Sequence, residues 1–346
     1  MTRVLVLVTG TGRSGTSTMA GSLHHLGLTV PGPLLGANKS NPKGFFESRW
    51  AVRFHKRIAA AAGLDDFDSR PNALELARNA VTPRLRGQLT AYVEKVTAEH
   101  DQVVVKDPRS VWAQRLWREV CDDVGVDIGY VSMLRHPAEV VGSRTTYYAS
   151  ANDAQARLRY QTTSVARWVN SSLITERETR GQRRAFVLYA DLLADWRSVL
   201  RPLAAGLGLR LEGDIEPGSH HPVDDFIEPD LRRHQASWAD IDVPVALREL
   251  AESVWDAVVR LSGDGQGGPD GTADFEQLSG RYTRLFGEAA AISRDAIAGA
   301  RLEGRRAALA EVRDAGHDED RRVSEASGRE LLQAAGARAL RRVRRS

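Results

Sequence analysis

A single cysteine, Cys121, stands in a chain of 346 residues, so no disulfide forms within it. That usage fits a reducing compartment, and a cytoplasmic location is expected. No apolar stretch approaches the length of a membrane span. The apolar run near Met1 is too short for a signal-peptide h-region, so no transmembrane segment is expected. Charge of one sign is also scarce: the net charge is +3, too mild for a nucleic-acid partner, and the expectation is none. The excess sits at one end, because residues 275–346 hold 15 Arg against 11 acids. A hydrophobic share of 42% with 27% charged residues is ordinary for a globular chain, and the length allows one large or two modest domains.

The most informative absence is a lysine. Arg3-Val-Leu-Val-Leu-Val-Thr9 is a β-branched apolar run, the pattern of a strand buried on both faces of a parallel sheet. Gly10-Thr11-Gly12-Arg13-Ser14-Gly15-Thr16-Ser17 follows, and a helix is expected to about Leu26, with Gly27 as its C-cap. Strand, glycine-rich loop and helix form a phosphate cradle, in which backbone N–H groups and the helix dipole converge on an anion. Gly10 and Gly15 have the Walker A spacing, but Thr16 occupies the lysine position. The nearest cation is Arg13. A loop of this kind is poorly equipped to transfer the terminal group of a triphosphate. It suits one phosphate ester bearing a sulfuryl group, held without metal by Arg13, the amides of Gly12 to Ser17, and the hydroxyls of Ser14, Thr16 and Ser17.

Strands alternate with helices along the rest of the first 260 residues. Gln102–Lys106, Asp127–Leu134 and Ala185–Ala190 read as further buried strands. The fold class is α/β: a P-loop NTPase-like parallel sheet flanked by helices, with a C-terminal helical extension. Ligands in such sheets sit beyond the carboxyl ends of strands. Lys106, Asp107 and Arg109 lie at one such end, where a salt bridge within the turn is an equally good reading. Arg135 lies at another, followed by Pro137 at a helix start and Ser143 two turns later. The planar fork of an Arg suits bidentate binding of phosphate, with pairing to a carboxylate at a sheet edge as the alternative. Residues 29–48 are a long Pro- and Gly-rich loop ending in Gly44-Phe45-Phe46-Glu47, and loops of that length in compact domains are commonly functional. Glu47 is the candidate general base, with Phe45 and Phe46 placed to desolvate it and capping of the helix from Trp50 as its alternative. His55, in that helix, is the rival base. Tyr189 reads as a packing residue. His220 and His221 lack companions at ligand spacing, so no metal site is expected. Arg232 and Arg233 could close over a nucleotide, but a charged surface turn is the favoured reading.

Two elements together, Arg13-Ser14-Gly15-Thr16-Ser17 and the Arg135, Pro137, Ser143 spacing, resemble the 5′-phosphosulfate and 3′-phosphate elements of sulfotransferases that use 3′-phosphoadenosine 5′-phosphosulfate. The resemblance covers residues 1 to about 260. It extends to Gly44-Phe45-Phe46-Glu47 and to the segment from Tyr189 to Trp196. The chain lacks both a C-terminal Arg-Lys-Gly clamp and an aromatic directly after the loop, which places it nearer the bacterial, carbohydrate-type branch. The resemblance implies sulfuryl transfer, without metal, to a hydroxyl or amine of a carbohydrate or other small-molecule acceptor. A P-loop kinase acting on a small molecule and a non-catalytic interaction protein on the same fold are the other classes considered.

Residues 1–262 are expected to form the sulfotransferase domain and the Gly-rich stretch 263–274 a linker. Residues 275–346 then form a helical tail whose first apolar residues, Phe275, Leu278, Tyr282 and Leu285, recur as in a short coiled-coil seam suited to a homodimer. The last nine residues hold five Arg and no acid, a composition suited to a peripheral contact with an acidic membrane surface.

Overall fold

The computed structural model describes residues 3–38, 41–148, 153–227, 237–264 and 269–325. Four strands, β1 (Val4–Thr9), β2 (Gln102–Lys106), β3 (Asp127–Leu134) and β4 (Arg184–Leu188), form one parallel sheet in the order β2-β1-β3-β4. Each was legible as an apolar run because both faces of this sheet are covered. In β1, Leu5 and Leu7 enter one core layer while Val4, Val6 and Val8 enter the other, the alternation that a pleated strand imposes.

Helix α1 (Thr16–His25) follows β1 and buries Met19 and Leu23 on the Val6 side. On the opposite side lie α2 (Arg49–Ala61), α3 (Ala73–Asn79), α4 (Pro83–Glu99) and α5 (Gln114–Val124), around Trp112 and Trp117. A third layer joins α6 (Pro137–Tyr148), α7 (Ala154–Thr179), α11 (Val245–Asp264) and the first half of α12 (Pro269–Ile292) to Leu134 and Phe186 of the sheet. Between β4 and α11 run α8 (Tyr189–Ala194), α9 (Trp196–Leu207) and the short α10 (Pro222–Phe226). The chain leaves β1 toward β2 on one side and returns to β3 on the other. The crevice beyond the carboxyl ends of β1 and β3 is therefore the topological switch point of the sheet.

Helix α12 begins at Pro269, inside the stretch read from sequence as a linker, where a proline is well placed at a first helical position. Phe275, Leu278 and Tyr282 are buried in the third layer, and the Tyr282 hydroxyl donates to the carbonyls of Ser69 and Ala166. The apolar face read as a coiled-coil seam thus begins as core. By compactness the chain divides into Met1–Phe286 and Gly287–Ser346; the second unit, where described, is the end of α12 and α13 (Arg294–Glu325). Arg232, Arg233 and the basic last residues lie outside the described residues. Among the described residues no helix is long and apolar enough to cross a membrane.

Candidate functional site

Backbone geometry at Gly10 and Gly15 shapes the loop after β1. Their φ angles are +135° and +88°. A Cβ on Gly15 would lie 2.1 Å from a ring carbon of Tyr189, so at this position only glycine fits both the turn and the neighbour. Gly15→Ala is expected to destabilise the protein by about 3 kcal/mol, combining left-handed strain with overpacking. Thermal unfolding checks this, and adding Tyr189→Ala should restore part of the loss. Gly15 is the N-cap of α1, with no side-chain cap, so the first-turn amides are left for a ligand.

Gly12, Arg13, Gly15, Thr16, Ser17, Arg135, Ser143 and Glu47 line one cavity of about 620 Å³. Arg13 Nε donates to Ser143 Oγ at 3.2 Å, joining the loop to α6. Arg135 Nη1 donates to the Arg13 carbonyl at 3.1 Å, and its Nε to Glu139 Oε2 at 2.9 Å, while its guanidinium lies 5.4 Å over the Tyr189 ring. The loop after β1 and the segment from Arg135 to Ser143, more than 120 positions apart in sequence, are thus joined. Ser14 does not line the cavity: buried, it donates its hydroxyl to the Thr11 carbonyl at 2.5 Å.

A lysine from another strand reaches the loop. Lys106, the last residue of β2, is 2% exposed, and its Nζ donates to Ser17 Oγ at 3.1 Å and to Glu47 Oε1 at 2.5 Å. Asn41 Nδ2 also donates to Ser17 Oγ, at 3.1 Å, which leaves the Ser17 hydroxyl proton available to another acceptor. Arg109 Nη2 reaches Glu47 Oε2 at 3.3 Å, and the same guanidinium pairs with Asp66 and Asp107. Glu47 is therefore paired with two cations, and of the two phenylalanines before it Phe45 lines the same cavity. Phe46 has φ +51° and turns away to pack on His24 and Phe226 at ring distances of 6.0 and 5.5 Å. Nor does Glu47 cap α2, whose N-cap is Ser48.

His55 does not share the cavity. It is fully buried, with Nδ1 2.8 Å from Asp107 Oδ2, and its Nε2 accepts from Trp117 Nε1 at 2.8 Å. The indole is a donor only, so the ring proton sits on Nδ1 and neither nitrogen is open to an acceptor molecule. Burial would push the Asp107 carboxyl up, but the hydrogen bond from His55 and the positive charge of Arg109 outweigh it and hold it below the usual range. His55 and Asp107 thus anchor the end of β2 and Arg109. Cys121 is buried, and burial and Asp122 push its thiol up to about 12, so it is inert.

No protein-family model and no curated protein matches the chain. Among solved structures it is similar to the sulfotransferase domain from the Synechococcus PCC 7002 olefin synthase, at 18% identity and a TM-score of 0.42, over 75% of this chain and 95% of that one. It is similar to the sulfotransferase domain from the curacin biosynthetic pathway, at 15% identity and a TM-score of 0.41, over 75% and 98%. It is also similar to the sulfotransferase STF1 from Mycobacterium tuberculosis H37Rv, at 13% identity and a TM-score of 0.38, over 74% and 77%. The chemistry of the site rests on its own residues.

Proposed function

We propose that this protein is a sulfotransferase using 3′-phosphoadenosine 5′-phosphosulfate, with a hydroxyl or amine of a carbohydrate or other small molecule as acceptor. The observation that carries the reading is the union, in one cavity, of a phosphate loop without its own lysine and a second anion point at Arg135 and Ser143. The donor, when bound, supplies the sulfuryl group and departs as the 3′,5′-bisphosphate. The loop amides, Thr16, Ser17 and Arg13 hold the 5′-phosphate end. Arg135 and Ser143 hold the 3′-phosphate. Lys106, beside Ser17, neutralises charge that develops on the oxygen linking sulfur to phosphate. Glu47 takes the acceptor's proton as its oxygen bonds to sulfur. Among the described residues, the carboxylates lining the cavity are Glu47 and Asp66, and of these Glu47 is linked to the loop through Lys106.

On this reading the catalytic domain extends to Phe286, because a chain ending at Ser262 would lose Phe275, Leu278 and Tyr282 from its third layer. Transfer of labelled sulfate across a panel of hydroxyl and amine acceptors tests the activity; no transfer to any of them, or to water, would refute it. Arg135→Ala should weaken binding of adenosine 3′,5′-bisphosphate by about 2 kcal/mol, roughly 30-fold, the scale of a charge-assisted contact. Truncation also removes an ion-pair partner of the buried Glu139, so Arg135→Lys serves as the companion: it keeps the charge, loses the fork, and should still bind several-fold more weakly. An unchanged dissociation constant in both variants would remove Arg135 from the site.

A further inference from the structure

Helix α2 carries Arg49, Arg53, Lys56 and Arg57 and no acid. Arg49 donates to the Leu34 carbonyl, Arg53 to the Arg49 carbonyl, and Arg57 lies over the Phe54 ring. Lys56 lines the same cavity as the phosphate loop, and among the described residues it has neither a hydrogen bond nor an ion pair. The other cations of that cavity are all engaged. Arg13 is bonded to Ser143, Lys106 and Arg109 to Glu47, Arg135 to Glu139, and Arg167 to Asp65. Lys56, which is solvent-exposed, is therefore a cavity charge with neither a hydrogen bond nor an acidic partner among the described residues, and the acid-free helix around it adds to the positive potential.

Its position gives that charge a meaning. Glu47 lies just before α2, and Val52 and Lys56 follow on one face of the helix, both lining the cavity. From Arg49, the first residue of α2, to Lys56 is seven residues, roughly 10 Å at the helical rise, and the side chain leans back toward the N-terminus. An acceptor with its hydroxyl at Glu47 runs past Val52, an apolar wall, before it meets the ammonium group.

The geometry points to an acceptor that bears an anionic group, a carboxylate or a phosphate, on an apolar body beyond its reacting hydroxyl, with Lys56 reading that charge. This rests on the sulfotransferase reading above. Lys56 meets a part of the acceptor where no bond changes, so it contributes uniform binding and sets affinity, not the chemical step.

The test uses the full chain saturated with adenosine 3′,5′-bisphosphate, a dead-end complex that requires no turnover. ω-Hydroxydecanoate and its neutral amide are titrated by calorimetry, with ω-hydroxydecyl phosphate as a third probe that separates the two anion sources. The wild type should bind the carboxylate or the phosphate about 10-fold more tightly than the amide, and added salt should shrink the gap. Lys56→Met should bring the three within twofold of one another with bisphosphate affinity unchanged, and Lys56→Glu should reverse the order. Equal binding of all probes by the wild type, no binding of any, or a preference that survives Lys56→Met overturns the inference. If the bisphosphate itself fails to bind, the sulfotransferase reading has failed; if it binds without a charge preference among the probes, only the role of Lys56 has.

Discussion

Replacing Lys106 with methionine is expected to lower kcat by about 10³-fold, the upper range for removing one preorganised donor from a transition state. The side chain is buried, its stem packs like that of methionine, and its charge is the one that bridges the loop's Ser17 to Glu47. Bisphosphate binding should fall by less than tenfold, because Arg13, Arg135 and the loop amides remain. The measurement is kcat with any acceptor returned by the labelled-donor panel, beside the dissociation constant of the bisphosphate. A variant with kcat within a few-fold of wild type would leave Lys106 as a structural partner of Glu47 and nothing more.

Glu47→Gln should lower kcat by about 10²-fold or more, the range for loss of a positioned general base. The amide keeps the shape and can still accept from Lys106 or Arg109 through its one carbonyl oxygen. Its NH₂ group then faces the other cation, which costs local order as well as basicity. Near-normal kcat would transfer the proton to Asp66 or to solvent. His55 is not an alternative, since Asp107 and Trp117 occupy both its nitrogens.

What the sequence showed and what it hid divide along physical lines. The strands were visible because a parallel sheet covered on both faces needs unbroken apolar runs, and the loop was visible because its glycines answer to local backbone geometry. The Lys106–Glu47 pair spans 59 positions, and no local pattern signals it; the only cue was a cation at the end of a strand. His55 could have been read as internal. Ala51, Val52, Phe54, His55, Ile58 and Ala59 make up the buried set of α2, and a histidine in such a set is more often a satisfied core group than a base. Phe275, Leu278 and Tyr282 show the opposite difficulty. Three- and four-residue spacing marks an apolar helical face, and it does not say whether that face meets a second copy or the core of its own domain.

The central claim is that the cavity is built for a 3′,5′-bisphosphorylated nucleoside held without metal. Calorimetry of the full chain with adenosine 3′,5′-bisphosphate in EDTA, against ATP with Mg²⁺, tests it most directly. Tight binding of the bisphosphate in EDTA, with ATP and Mg²⁺ much weaker, is the predicted result. Equal or tighter binding of ATP with Mg²⁺ would contradict it and make the protein a phosphoryl-transfer enzyme that borrows its loop lysine from β2.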